Sequence, residues 1–477
     1  MVQKSSVQRI REAVSLPFQI ALLLLLTAAL SWWIGRGGED AAMLLLIVVV
    51  GIVLSFSILR NPAIGLAVTA MSLPLQGVLP SVPMATSLVS ALGGLTLLAY
   101  LVQKLRGGKF FQHGLQWQYA LALGFFVWQL VSFPRASFYG SHNWTFTYIQ
   151  LLILLWLASE LLTPRALRLV MALYIIAAVI SALYAFSEAQ IADEYSVSAG
   201  LVRSEGLGGD ENDVALYLAL GFVFAAYFHR EQRTRFGNLV FPLIYIALIM
   251  GIVGTVSRAG FLTFVLALVL LAGFWLSGGK RRARAIIIPA FSLIIAVQYV
   301  IPDSYFDIMY ETIFTEDISD DTNFGSRQRL INIAWEVWKD HPATGVGVDQ
   351  FRSVSRSYME GIVVRGKAPP AQVPHNLYVT LLAENGLIGF LLFMGWIAFG
   401  LRDLLRTMWG RTDPYSALAT IWLIGMLLFL FKGYTASTMH YDKLLWMMGG
   451  VSVAIYQGYL AYKRRDPAAQ AEGAAYD

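Results

Sequence analysis

Two arginines and a histidine carry the chemistry that this sequence offers. Arg203 stands in Arg203-Ser204-Glu205-Gly206-Leu207-Gly208-Gly209-Asp210-Glu211-Asn212, just before an apolar run begins. Arg258 stands in Thr255-Val256-Ser257-Arg258-Ala259-Gly260, between two apolar runs with almost no loop to separate them. His375 stands in Pro374-His375-Asn376, at the far edge of a polar stretch that also holds Arg327, Arg329, Arg352, Arg356, Arg365, Lys367 and His341. A guanidinium never loses its charge and can grip phosphate oxygens two at a time. An imidazole with an ordinary pKa of about 6.5 is mostly neutral at working pH and can accept a proton. Two guanidiniums and such an imidazole on one face of a membrane fit a diphosphate, and a lipid is its natural carrier at that level.

Each residue also has a plainer reading. The glycines after Arg203 allow a tight turn, and Asp210 or Asn212 can cap the helix that follows, which would leave Arg203 as a solvated charge. Arg258 could snorkel to the interface, although a charge at that depth is costly and usually faces a cavity or a partner. His375 alone fits a hydrogen-bonding residue at a helix start. The chemical reading rests on the three together.

The elements that must position them are membrane helices. The chain is 57% hydrophobic and 14% charged, against about 25% charged in soluble domains. Runs such as Ile20 to Ile34, Met43 to Leu59 and Ala259 to Leu276 are long enough to cross a hydrocarbon core, which takes about 20 residues of helix. Apolar runs place spans at roughly 17–35, 41–59, 62–79, 84–103, 116–133, 144–162, 166–187, 211–229, 238–256, 259–277, 285–301, 385–401, 415–433 and 443–461, fourteen in all. Pro74 and Pro80 interrupt the third, which reads as a broken or re-entrant helix.

Charge checks this count, because cytoplasmic loops collect Lys and Arg. With the N-terminus inside, the expected cytoplasmic segments hold 22 basic residues and the short outward loops hold 6 (Arg36, Arg135, Arg203, Arg258, Lys432 and Lys443). A shift by one span would scramble that alternation. Both termini are therefore expected in the cytoplasm and the long polar loop outside. The expected division is an N-terminal bundle of about eleven helices over 1–301, a mostly helical outward loop over 302–374, about three helices over 375–461, and a disordered tail over 462–477. The basic N-terminus and its long apolar run read as a retained first helix rather than a cleaved signal peptide. The sequence has no cysteine, which excludes disulfides and thiolate chemistry.

These segments resemble the O-antigen ligase and O-antigen polymerase superfamily of bacterial envelope glycosyltransferases. An Arg-x-x-Gly…Asn element matches Arg203, Gly206 and Asn212, and a Ser-Arg-x-Gly element matches Ser257, Arg258 and Gly260. Gly325-Ser326-Arg327 leads to Trp335, then His341-Pro342-Ala343-Thr344-Gly345-Val346-Gly347, Pro374-His375-Asn376 and Glu384-Asn385-Gly386-Leu387-Ile388-Gly389. Their order and spacing from Arg203 to Gly389 carry the likeness; the first 200 residues add only hydropathy.

The resemblance implies an all-α, GT-C-like polytopic membrane protein of the bacterial inner membrane, with its active site facing the periplasm. It implies an inverting, metal-independent glycosyltransferase without a cofactor. Such an enzyme passes saccharide from an undecaprenyl-diphosphate-linked donor to an acceptor hydroxyl, in O-antigen, capsule or exopolysaccharide assembly. On this likeness Arg203 and Arg258 clamp the diphosphate, and His375 activates or positions the acceptor hydroxyl. Asn212, Ser257, Arg327 and Asn376 complete the binding set. Expected partners are the lipid-linked donor, an acceptor glycan, the bilayer, and chain-length regulators or other assembly proteins. Glu211 departs from the family, which often has proline before the asparagine, and eleven runs before the loop exceed the nine or so of the ligases. That surplus leans toward a polymerase.

Weaker signals have simpler explanations. Asp210, Glu211 and Asp213 read as a helix N-terminus using its dipole rather than a cation site. Asp317, Asp320, Asp321 and Asn323 read as a solvated turn, because the distal glutamate of a calcium loop is missing. Tyr434, His440 and Tyr441 lie in the last outward loop, where they could line a sugar groove. Two rivals stand beside the polysaccharide enzyme. One is a protein O-glycosyltransferase, which differs only in acceptor. The other is a lipid-linked-oligosaccharide transporter or flippase, expected to show internal repeats and midplane charges that are not evident here.

Overall fold

The computed structural model describes residues 49–77, 81–82, 86–107, 110, 112–132, 138–195, 204, 206–231, 234, 236–275, 323–359, 373–409 and 413–465. Nine helices precede the loop among them: α1 (Val49–Arg60), α2 (Pro62–Ser72), α3 (Leu88–Leu105), α4 (Trp117–Ser132), α5 (Phe138–Leu161), α6 (Pro164–Tyr195), α7 (Glu211–Glu231), α8 (Gly237–Gly254) and α9 (Arg258–Trp275). The loop contributes α10 (Asn323–Asp340) and α11 (Phe351–Tyr358), and α12 (Leu377–Met408), α13 (Ser416–Lys432) and α14 (Lys443–Arg465) return to the bundle. The single ladder among these residues pairs Ser81–Val82 with Thr86–Ser87, antiparallel. Six of the helices are long and apolar enough to cross a membrane, and six more are shorter and apolar. The protein is a polytopic helical membrane protein. Each apolar helix falls on an expected run; the runs expected at 17–35 and 285–301 lie outside the described residues.

Two of the boundaries that differ from the hydropathy reading have a clear backbone reason. The third run ends early. Pro74 has no N–H and crowds the preceding turn, so Leu73 donates its N–H to Ala70 and the chain tightens into a 3-10 turn over Leu73–Leu75. At 1.5 Å per residue α2 and this turn reach only about 21 Å, short of a hydrocarbon core of about 30 Å. The other boundary, α12, starts at Leu377 rather than near residue 385. Asn376 caps it, with Oδ1 accepting the N–H groups of Tyr378 (3.0 Å) and Val379 (3.3 Å).

α7 is the axis of the bundle. Every residue from Val214 to Tyr227 is buried, as expected of a helix that is apolar all round. Phe222 packs against Tyr245 of α8 and Phe264 of α9, and Phe224 against Tyr174 of α6 and Trp422 of α13. Close approach needs small residues: a Cβ on Gly251 of α8 would fall 2.5 Å from the Cα of Ala182 on α6. This core fixes the helix ends from which the site is built.

Candidate functional site

Six helix ends meet beside the loop. Ser257 Oγ accepts the N–H of Gly260 at 2.9 Å, capping α9, and donates to Asn212 Oδ1 of α7 at 2.7 Å. That bond ties the first turn of α9, and with it half-buried Arg258, to the first turn of α7. Asp210, not Asn212, caps α7, taking the N–H groups of Asn212 (2.9 Å) and Asp213 (3.0 Å) on Oδ1. The Asn212 side chain is thereby left for Ser257.

The chain before α7 is pinned as well. Buried Ser204 donates its hydroxyl to Glu188 of α6 (2.5 Å) and its N–H to the carbonyl of Gly254 on α8 (3.3 Å). Gly206 and Gly209 take positive φ of 51° and 83°, and the N–H of Gly77 reaches the carbonyl of Leu207 at 2.8 Å. Arg203 itself lies outside the described residues.

His375 occupies a corner. Its φ is +50°, a left-handed conformation uncommon for a residue with a side chain. The neighbours hold it there: the N–H of Asn376 donates to Ser437 Oγ (3.2 Å) and the N–H of Leu377 to the carbonyl of Gly433 (2.7 Å). Burial holds the imidazole below its ordinary pKa, the positive charge of Arg327 lowers it further, and Arg352 and Lys432 add to this. Asp210 acts in the opposite direction. The groups acting on His375 thus come from α10, α11, α13 and the cap of α7.

Lys432 is the residue that the sequence reading passed over. Its side chain is 1% exposed, and Nζ lies 3.6 Å from Asp213 Oδ1. It ends α13, one residue before the carbonyl that receives Leu377. A basic residue in an outward loop that should be poor in them was the available signal. Arg352 and Arg356 are exposed, Arg327 and Arg329 half-buried, and His341 exposed.

The loop is joined to α12 by two of the sequence motifs. Gly386 (φ 63°, ψ −172°) breaks α12 internally. The backbone groups released there are taken by residues 342–347. Val346 and Gly347 donate to the carbonyls of Ala383 (2.9 Å) and Glu384 (2.8 Å), while Leu387 and Ile388 donate to those of Pro342 (2.8 Å) and Ala343 (3.4 Å). Trp128 of α4 donates Nε1 to the carbonyl of Asn385 at 2.8 Å, and the N–H of Phe351 reaches Glu384 Oε1 at 3.3 Å. A Cβ on Gly345 would fall 2.3 Å from the Glu384 carbonyl carbon, and one on Gly386 the same distance from that of Ala343. Gly386→Ala is expected to destabilise the joint by at least about 2 kcal/mol from backbone strain alone. A lowered melting midpoint and protease cutting near 341–347 should report it. Gly395→Ala is the control, since a Cβ there meets its nearest atom at 3.6 Å. Equal melting of the two variants would show that the joint does not fix the loop.

The last loop corrects an expectation. His440 is buried (4% exposed), with Nδ1 at 2.9 Å from the carbonyl of Ser437, and burial pushes its pKa down to about 4. It is a packing residue rather than a groove wall. Tyr441 packs on Trp144 with ring centres 4.4 Å apart, and exposed Tyr434 on Tyr378 at 4.9 Å. Asn323 opens α10, and the Asp317–Asp321 stretch lies outside the described residues.

No curated protein matches the chain. Residues 243–394 match a family model described as O-antigen ligase. The match takes in Ser257, Arg258, Arg327, His375, Asn376 and the Gly386 joint, while Arg203, Gly206 and Asn212 precede it. That segment, about a third of the chain and set in a polytopic helical bundle, is similar to the O-antigen ligase family of membrane glycosyltransferase-type proteins.

Proposed function

We propose that the protein takes saccharide from an undecaprenyl-diphosphate-linked donor and joins it to an acceptor hydroxyl, in O-antigen, capsule or exopolysaccharide assembly. Polymerisation is favoured over ligation, because eleven apolar runs precede the loop. The observation that supports this reading best is the gathering of His375 with Arg327, Arg352 and Lys432, at the helix ends where Ser257 and Asn212 hold Arg258.

In this mechanism the acceptor oxygen attacks the anomeric carbon and its proton passes to His375. The bond from that carbon to the diphosphate oxygen breaks, and its electron pair leaves with the diphosphate. Attack opposite the leaving group inverts the centre. The burial and positive surroundings that lower the pKa of His375 keep it neutral, hence able to accept. Arg258 and Arg203 meet the charge growing on the diphosphate, which gives guanidiniums the part a metal ion plays in other transferases. Asn212 and Ser257 hold the turn of Arg258, Arg327 and Asn376 border the imidazole, and the site faces the periplasm from an inner-membrane protein with both termini cytoplasmic.

The test is a reconstituted reaction with an undecaprenyl-diphosphate oligosaccharide and EDTA, products resolved by size. A ladder of longer lipid-linked chains is the expected result. Consumption only with an added glycan or protein acceptor would make the enzyme a ligase or a protein O-glycosyltransferase. Release of no undecaprenyl diphosphate with any acceptor would favour a transporter.

A further inference from the structure

A cavity of about 190 Å³ lies between α2, α3 and α5, with Lys443 of α14 at its edge. None of the groups that act on His375 lines it. The helices around it give it a direction. α5 and α14 begin at the loop end: Trp144 donates Nε1 to Asp349 at 3.2 Å, and Tyr217 near the start of α7 donates to Asp442 at 3.1 Å. α3 begins there too, because the chain leaving α2 and its 3-10 turn reaches Leu207 at Gly77.

Along α5 polar lining comes first and apolar lining deeper, and on α3 the one polar lining residue lies near the start, beside Val89. Ser90 precedes Leu97 on α3, Thr147 and Gln150 precede Leu154 and Leu157 on α5, and Lys443 heads α14. Ser90 Oγ donates to Gln150 Oε1 at 3.1 Å, closing the polar end. Thr69 of α2 also lines the cavity; it is 3% exposed and its hydroxyl has no partner among the described residues, an exception among buried polar groups. No carboxylate among the described residues lies within ion-pair distance of Lys443. Its neighbour Asp442 gives one oxygen to the N–H groups of Leu444 and Leu445 and the other to Tyr217. A cation at membrane depth calls for an anion.

We propose that this groove binds one acidic phospholipid of the bilayer, its phosphate at Lys443 and the first part of one chain against Leu97, Leu154 and Leu157. The amphiphilic order of the lining matches a headgroup above a chain, and the charge matches a phosphate. The volume is about six times water's share of the liquid, which suits a short length of one acyl chain. The polyprenyl donor belongs instead to the arginine and histidine site on other helices. That exclusion of the donor rests on the proposed function, while the charge and lining of the groove do not.

Native mass spectrometry of the detergent-purified chain, with phosphatidylglycerol and phosphatidylethanolamine as probes, tests it. One phosphatidylglycerol should be retained at a concentration at least about tenfold below that needed for phosphatidylethanolamine. Lys443→Gln should remove that preference. Gly93→Leu should remove binding of both without lowering the melting midpoint, since a Cβ there meets nothing within 4 Å. Equal retention of the two lipids by the unaltered chain would overturn the proposal, as would full phosphatidylglycerol binding by Gly93→Leu. Displacement of phosphatidylglycerol by a lower concentration of undecaprenyl phosphate would also overturn it, by assigning the groove to the donor chain.

Discussion

Arg258→Ala is expected to lower kcat for saccharide transfer by about 10²- to 10³-fold, the usual cost of removing one fixed group that stabilises transition-state charge. Arg258 opens α9 directly after the cap, and the bond from Ser257 to Asn212 fixes where its backbone starts. The cap survives the substitution, because it is made by Ser257 and Gly260. Membrane insertion and melting should therefore stay near the parent values. The donor diphosphate is charged before reaction, so KM rises too; the fall in kcat isolates the share that grows as the bond to the anomeric carbon breaks. Arg258→Lys keeps the charge but loses the two-pronged geometry and should fall between. Near-normal turnover by a correctly folded Arg258→Ala protein would remove the diphosphate clamp from the mechanism.

The sequence made the bundle legible and left the joints obscure, for one physical reason. Apolar periodicity reports burial, and α7, apolar on every side, had to be a core helix. The start of α12 was hidden because Glu384 and Asn385 look like the polar end of a loop. Glu384 accepts the N–H of Phe351 and the Asn385 carbonyl accepts Trp128 Nε1, partners 33 and 257 residues away in sequence, while the Asn385 side-chain amide is buried with no partner among the described residues. Lys432 was obscured in the same way: its pairing with Asp213 crosses most of α7 to α13. The turn before α7 offered two capping side chains, and only the hydroxyl of Ser257, 45 residues on, decides that Asn212 is used elsewhere. The motifs themselves were legible as words. That residues 342–347 bond to the break at Gly386 requires a positive φ and a contact without a Cβ, which one sequence does not display.

His375→Ala is expected to lower kcat by about 10²- to 10⁴-fold, the range for loss of a general base, while donor affinity changes little. The corner should persist, because Asn376, Gly433 and Ser437 hold it through the backbone and the cap. The pH dependence gives a sharper test. A base works only when unprotonated, so the rate falls on the acid side as pH drops through its pKa. Burial first, and then the charge of Arg327, hold that pKa below the ordinary histidine value; the acid limb of the parent enzyme should therefore lie below about 6.5. Taking away a positive charge favours the imidazolium and raises the pKa. Arg327→Gln should consequently move the acid limb to higher pH, part of the way only, since burial is the larger cause and remains. A purely structural histidine would leave the limb in place in that variant. A His375→Ala loss confined to donor affinity would reassign the imidazole to holding the diphosphate, and the proton would then need another acceptor among the groups that crowd this corner.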